Sequence, residues 1–175
     1  KHLVELIGGS ILFESDPSVK VGTKCIVYLP LPPCDVPVQH VCEAESLEVI
    51  QDALKVLLID DIKMNRKMLR RRILKGIAPN CIFTEASTGE EALKICSKST
   101  FDVIVVDQYM QEAGGMMVGT DVVHAMRQSK NESIIIGCSG NDIDHLFLDA
   151  GADWVWKKPM PSNKKILSQL HGALR

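Results

Sequence analysis

At 175 residues, 46% hydrophobic and 24% charged, the chain has enough apolar material for one ordinary domain with some to spare, and the composition is not that of a disordered protein. A formal net charge of −2 removes any global reason to expect nucleic acid or an anionic membrane as partner, so partners have to be argued locally. No apolar stretch approaches the roughly 20 residues needed to cross a bilayer, and Lys1 starts the chain without an initiator Met or a signal-peptide layout; a piece cut from something longer, with no membrane contact of its own, is the expectation.

In chain order, residues 3–9 end in Gly8 and Gly9 like a helix terminus, and 10–15 and 23–29 read as two strands around a polar turn. Pro30, Pro32 and Pro33 then open a linker that runs to about residue 53. A two-stranded piece this short is marginal alone, so it should pack on something, pair with another copy or be poorly ordered. Cys34, His40 and Cys42 sit close together in the linker, but a structural zinc site takes four ligands and free thiols are the better reading. The six cysteines contain no CxxC pair, which fits a reduced, cytosolic compartment.

From about residue 55 onward, short apolar runs alternate with amphipathic helical patterns, the signature of βα units building a parallel sheet covered by helices on both faces. Five repeats are expected: strands near 55–60, 82–86, 103–107, 134–138 and 153–157, and helices near 63–75, 88–97, 120–129, 142–150 and 163–174. Thr88 and Glu91 have capping-box spacing, Ala150 and Gly151 end the fourth helix, and Ser162 with Asn163 can cap the last.

The runs end in chemistry. Asp60 and Asp61 close the first, Asp107 the third, Ser139 the fourth and Lys158 the fifth, and in open α/β sheets the ligand lies beyond the carboxyl ends of the strands. Three carboxylates brought together repel one another, so they share a proton or hold a cation, and a hard divalent ion such as Mg²⁺ with oxygen ligands resolves the repulsion. A carboxylate is also a nucleophile toward phosphorus if the phosphoryl oxygens are neutralised; the Lys158 ammonium and the Ser139 hydroxyl match that demand. A lone strand-end Asp more often caps a helix or sits solvated, and Lys158 and Ser139 have equally ordinary readings singly. The joint pattern is what points to a phosphoryl and magnesium site.

With these motifs, residues 54–175 resemble a response-regulator receiver domain. The resemblance implies a flavodoxin-like five-stranded parallel sheet of order 2-1-3-4-5. It implies that Asp107 takes a phosphoryl group from a phosphohistidine and that Asp61 and Asp107, with the backbone carbonyl of Tyr109, bind Mg²⁺ while Asp60 acts largely through metal-bound water. Ser139 stands in the Thr/Ser position and Lys158 precedes Pro159 as in the family. Residues 1–30 are similar to the end of a histidine-kinase ATP-binding domain, through Gly8-Gly9, Gly22-Thr23 and Leu29-Pro30. The implied parent is a hybrid sensor histidine kinase. The piece in hand has neither the phosphoacceptor-histidine helices nor the nucleotide-binding boxes, so at most it catalyses its own phosphorylation and dephosphorylation. A kinase dimerisation domain or a histidine-phosphotransfer protein is the implied partner.

Three departures stand out. The stretch from Gln108 to Gly119 lacks the usual Met-Pro and is about four residues longer than the family's, with Gly114, Gly115 and Gly119 in it and Met116 and Met117 as a soft contact surface or a packed cover. The position of the family's switch aromatic is Val155, between Trp154 and Trp156; and Tyr109 and Asn141 hold the two positions that tune attack of water on the aspartyl phosphate. On the first helix, Arg66, Lys67, Arg70, Arg71, Arg72 and Lys75 form a basic face beside Met64, Met68, Leu69 and Ile73, either solvated or a docking surface. The competing reading is a silent receiver-like module that only docks a kinase or phosphotransfer protein. A phosphatase of another α/β family would need an acid two residues after its nucleophile, where Tyr109 and Ile62 stand, and no GxxxxGK[ST] or GxGxxG motif supports a nucleotide-binding enzyme.

Overall fold

The computed structural model of the chain describes residues 2–6, 8–15, 23–30 and 48–174. The chain divides into two compact units at about residue 45. The smaller consists of α1 (His2–Leu6) and an antiparallel pair, β1 (Ser10–Glu14) and β2 (Lys24–Tyr28), in the register Leu12 opposite Ile26. Gly8, at φ 73, makes the turn out of α1. Both expected strands are present. The trio Cys34, His40 and Cys42 lies outside the described residues.

The larger unit is a five-stranded parallel sheet built from β3 (Lys55–Ile59), β4 (Ile82–Ala86), β5 (Val103–Asp107), β6 (Ile134–Ser139) and β7 (Trp154–Lys157). Their order is β4-β3-β5-β6-β7, the 2-1-3-4-5 order, with the direction of filling reversed beside β3. The connecting helices are α2 (Lys63–Gly76), α3 (Gly89–Cys96), α4 (Gly119–Gln128), α5 (Asp144–Asp149) and α6 (Asn163–Ala173).

Successive strand residues point to opposite faces, and the core divides accordingly. Val56, Leu58, Val103, Val105, Ile136 and Trp156 pack under α2 and α6. Leu57, Ile59, Ile104, Val106 and Ile135 pack under α3, α4 and α5. Ile50, which the sequence pattern assigns to the linker, is buried with Leu54 in the first of these clusters. Ile50 N–H donates to the Ile77 carbonyl, and Asn80 donates to the Gln51 carbonyl, so the larger unit starts before its first strand.

Capping follows the sequence with one difference. The Thr88 hydroxyl accepts from Glu91 N–H, but the Glu91 carboxylate reaches back to Ser87 rather than to Thr88. Ser162 caps α6 by accepting from Lys165 N–H, and Gly151, at φ 102, follows the end of α5.

Candidate functional site

Asp60 and Asp61 follow β3 directly, Asp107 ends β5, Ser139 ends β6 and Lys158 follows β7. Parallel pairing aligns these carboxyl ends, so residues far apart in sequence meet at one edge of the sheet. One carboxylate oxygen from each of Asp60, Asp61 and Asp107 lies within 4.8 Å of the others. Asp60 and Asp107 are buried, while Asp61 is half-buried.

Lys158 reaches into this cluster. Its Nζ donates to Asp107 Oδ1 at 2.5 Å and to Asp60 Oδ2 at 3.4 Å. Burial pushes the Asp107 carboxyl above the usual carboxylate range; the hydrogen bond and charge of Lys158 pull the other way, and Asp60 adds to the rise. Burial on its own would lower Lys158, but its hydrogen bond with Asp107 and the charges of Asp107 and Asp60 hold it above the ordinary lysine value. An ammonium shared between two carboxylates is a charge already aimed at the place where a phosphoryl group on Asp107 would develop negative charge.

Ser139 is buried, and its hydroxyl accepts from Asn141 N–H at 3.1 Å, while its carbonyl accepts from Lys158 N–H at 2.8 Å. The second bond ties the start of the Lys158-Pro159 segment to the end of β6. Tyr109 has a half-exposed side chain just past β5.

The stretch after Asp107 is a bonded structure. Gln108 is buried and bridges to Thr120, accepting from its N–H at 3.2 Å. A single 3-10 turn, Gln111–Ala113, follows, and Glu112 N–H donates to Asp61 Oδ2 at 2.9 Å. Farther on, Glu90 Oε1 at the start of α3 accepts from Met116 N–H and Met117 N–H at 3.0 and 3.1 Å. These amides and Glu90's own hold its carboxyl below the usual range. Met116 projects almost fully into solvent, and Met117 packs on the core as a cover.

Val155, at the switch-aromatic position, packs against the cluster under α5. Trp156 is buried on the other face, its Nε1–H donating to Gln169.

The basic face of α2 is smaller than its composition suggests. Arg66 turns inward, donating through its guanidinium to the Asp60 carbonyl and pairing with Glu85 at 2.9 Å. Arg72 donates to the Pro161 carbonyl and Asn163 at the head of α6, and Arg70 lies over the Phe83 ring. Lys67, Arg71 and Lys75 remain exposed, together with Met64 and Met68, which lie off the core stripe of Leu69 and Ile73.

Two residues at the site escaped the sequence reading. Asn65 donates to both oxygens of Asp60 at 3.1 Å, and Arg66 holds the Asp60 main chain. For Arg66 the signal was its place on the 66, 69, 73 helical stripe; its charge hid it. Among the described residues no helix is long and apolar enough to cross a membrane.

Comparison with known proteins agrees with this geometry. Residues 56–171 match the response regulator receiver domain. The autoinducer 2 sensor kinase/phosphatase LuxQ of Vibrio parahaemolyticus is 23% identical over 166 residues, covering 93% of this chain and 19% of that protein. The two-component response regulator ARR22 of Arabidopsis thaliana is 29% identical over 139 residues, covering 75% of this chain and 93% of that one. The chain thus spans about a fifth of the length of the sensor kinase. The Francisella response regulator 1452 receiver domain has the same fold, with a TM-score of 0.58 at 24% identity over 69% of this chain and 95% of that one. With most of its length inside the family match and the acidic cluster at the sheet's carboxyl edge, the chain belongs to the response regulator receiver domains of two-component signalling.

Proposed function

We propose that this chain is a phosphoacceptor of a phosphorelay, taking a phosphoryl group from a phosphohistidine onto Asp107. The observation that carries it is the pairing of a buried, strand-end carboxylate with Lys158 and with two further acids within 4.8 Å. A carboxylate oxygen of Asp107 attacks phosphorus, the phosphorus–nitrogen bond breaks, and the bonding pair leaves on the imidazole nitrogen. Lys158 exchanges its bond to Asp107 Oδ1 for one to a phosphoryl oxygen, and the Ser139 hydroxyl donates to another by turning from the Asn141 amide.

Three close carboxylates supply a hard, anionic oxygen set that fits Mg²⁺; Asp61, Asp107 and the Tyr109 carbonyl would hold it directly, with Asp60 acting through water. When bound, Mg²⁺ neutralises phosphoryl oxygens as charge spreads over them. The phosphodonor is the dimerisation domain of a histidine kinase or a histidine-phosphotransfer protein, and the compartment is the cytoplasm.

The first 30 residues are the tail of a kinase ATP-binding domain, in a hybrid sensor kinase. Similarity to LuxQ over 93% of the chain supports this, because residues 54–175 alone cannot supply that coverage.

Incubation with Mg²⁺ and a small phosphodonor, followed by intact mass, tests the acceptor role. Wild type gains one phosphoryl group and Asp107→Asn gains none. An unmodified wild type would favour a silent docking module, and an adduct surviving Asp107→Asn would remove the site assignment.

A further inference from the structure

The three carboxylates are held by different means, and Asp60 is held the most. Its Oδ1 accepts from Ile62 N–H at 2.9 Å and from Asn65 Nδ2 at 3.1 Å; its Oδ2 accepts from the same Asn65 Nδ2 at 3.1 Å and from Lys158 Nζ at 3.4 Å. The Asp60 main chain is fixed separately, by Arg66 bonding its carbonyl while paired with Glu85 on β4. Arg66 therefore sets where Asp60 sits, and Asn65 sets how its carboxylate is turned.

The residue type matters. An amide donates hydrogen bonds without bringing charge, so Asn65 can lock the Asp60 carboxylate while leaving its negative charge available to a cation. A lysine or arginine in the same place would compete with the ion. Asn65 is also in the first turn of α2, whose N-cap residue, Ile62, has no capping oxygen, so Asp60 joins the strand end to the helix start through these bonds.

We propose that Asn65 is a positioning residue that sets the divalent-cation affinity of the site by holding the Asp60 carboxylate. The inference rests on the reading above that Asp60, Asp61 and Asp107 form a Mg²⁺ site. Partners that orient ligating carboxylates contribute about 10- to 100-fold in metal affinity when lost. Because Asp60 acts through water, the lower end applies.

Calorimetric titration of the full chain with MgCl₂ tests it. Asn65→Ala is expected to weaken Mg²⁺ about tenfold, and to have no further effect when Asp60→Ala is already present, since it acts through that carboxylate. Asn65→Ser, which keeps a short donor, is expected to fall between, and it replaces Asn65→Ala in the comparison if the alanine variant does not fold. Urea unfolding in EDTA confirms that each variant used is folded. Unchanged affinity, or equal weakening with and without Asp60→Ala, overturns the proposal and leaves the metal site standing. A wild type that binds no Mg²⁺ removes both.

Discussion

Gly119 opens α4, and a methyl group there has nowhere to go. A Cβ built on it would lie 2.3 Å from the Asp107 carbonyl oxygen, 3.0 Å from the Asp107 carbonyl carbon and 3.0 Å from Gln108 Cα. The first contact is about 1 Å shorter than ordinary packing allows. All three neighbours are backbone, and none can swing away as a side chain would. Asp107 is paired in the sheet opposite Cys138, Gly119 N–H donates to the Gln108 carbonyl at 2.8 Å, and α4 is pinned by fully buried Val122 and Val123. Overpacking typically costs about 1–3 kcal/mol, and rigid neighbours place Gly119→Ala toward the top of that range. Loss of glycine's freedom in the unfolded chain offsets about 0.4–1 kcal/mol, leaving a net destabilisation near 2 kcal/mol. With a urea slope of about 2 kcal/mol per M, the unfolding midpoint should fall by about 1 M. Trp156, almost fully buried, serves as the fluorescent reporter. Gly172→Ala is the control, because a Cβ on Gly172 meets nothing within 4 Å and a helical glycine replaced by alanine stabilises by up to about 1 kcal/mol. If Gly119→Ala unfolds at the midpoint of wild type or Gly172→Ala, the close approach of α4 to the end of β5 is not the constraint described.

Lys158→Ala leaves Asp60 and Asp107 without their shared cation, and the loss of stability should be about 1 kcal/mol, a figure discounted because the lysine side chain is 36% exposed. Saturating Mg²⁺ should recover much of it by restoring positive charge; an identical loss with and without Mg²⁺ in urea unfolding would contradict the shared-charge account. Among the cysteines, burial pushes the Cys138 thiol up to about 12 from 9.0, with Lys158 opposing and Asp107 and Asp60 adding to the rise. A higher pKa means less thiolate, here about a thousandfold less at pH 8, so iodoacetamide should label exposed Cys25 and spare Cys138 in the native protein, with both labelled in urea. Equal native labelling rates, read by peptide mass, would count against the buried placement of Cys138 beside Asp107.

The strands, their carboxyl-end chemistry and both strands of the hairpin were legible because each is local: an apolar run, a polar residue at its end, a turn signal between. The order of the sheet came through family resemblance, and parallel pairing brings Asp60, Asp61 and Asp107 together as that order requires. What stayed hidden depends on contacts that sequence spacing does not carry. Arg66 and Arg72 read as surface charge, yet one reaches Asp60 and Glu85 and the other Pro161, 89 residues away. The stretch from Gln108 to Gly119 read as a glycine-rich departure, because the carboxylates that secure it, Asp61 and Glu90, lie 51 and 26 residues from the amides they accept. Gly119 itself read as one of three glycines in that stretch, whereas its missing side chain is what lets α4 approach the end of β5.

Each acid of the cluster is held by a different part of the fold. Asp60 is turned by the first turn of α2, Asp61 accepts from the 3-10 turn after β5, and Asp107 is bonded to Lys158 from beyond β7. In the proposed reaction a phosphoryl group on Asp107 would compete directly with only the last of these bonds, and Lys158 N–H is in turn tied to the Ser139 carbonyl. Displacement of Lys158 therefore acts first on the β6 and β7 ends. Val155, within β7, carries no aromatic ring and packs on the cluster beneath α5. Asp61 offers a second route, since any demand on its carboxylate is felt at Glu112 N–H, within a segment whose far end is held by Glu90. Asp61 and Glu90 thus bond the stretch from Gln108 to Gly119 at two points, which makes it part of the site's hydrogen-bond network rather than an appendage to it.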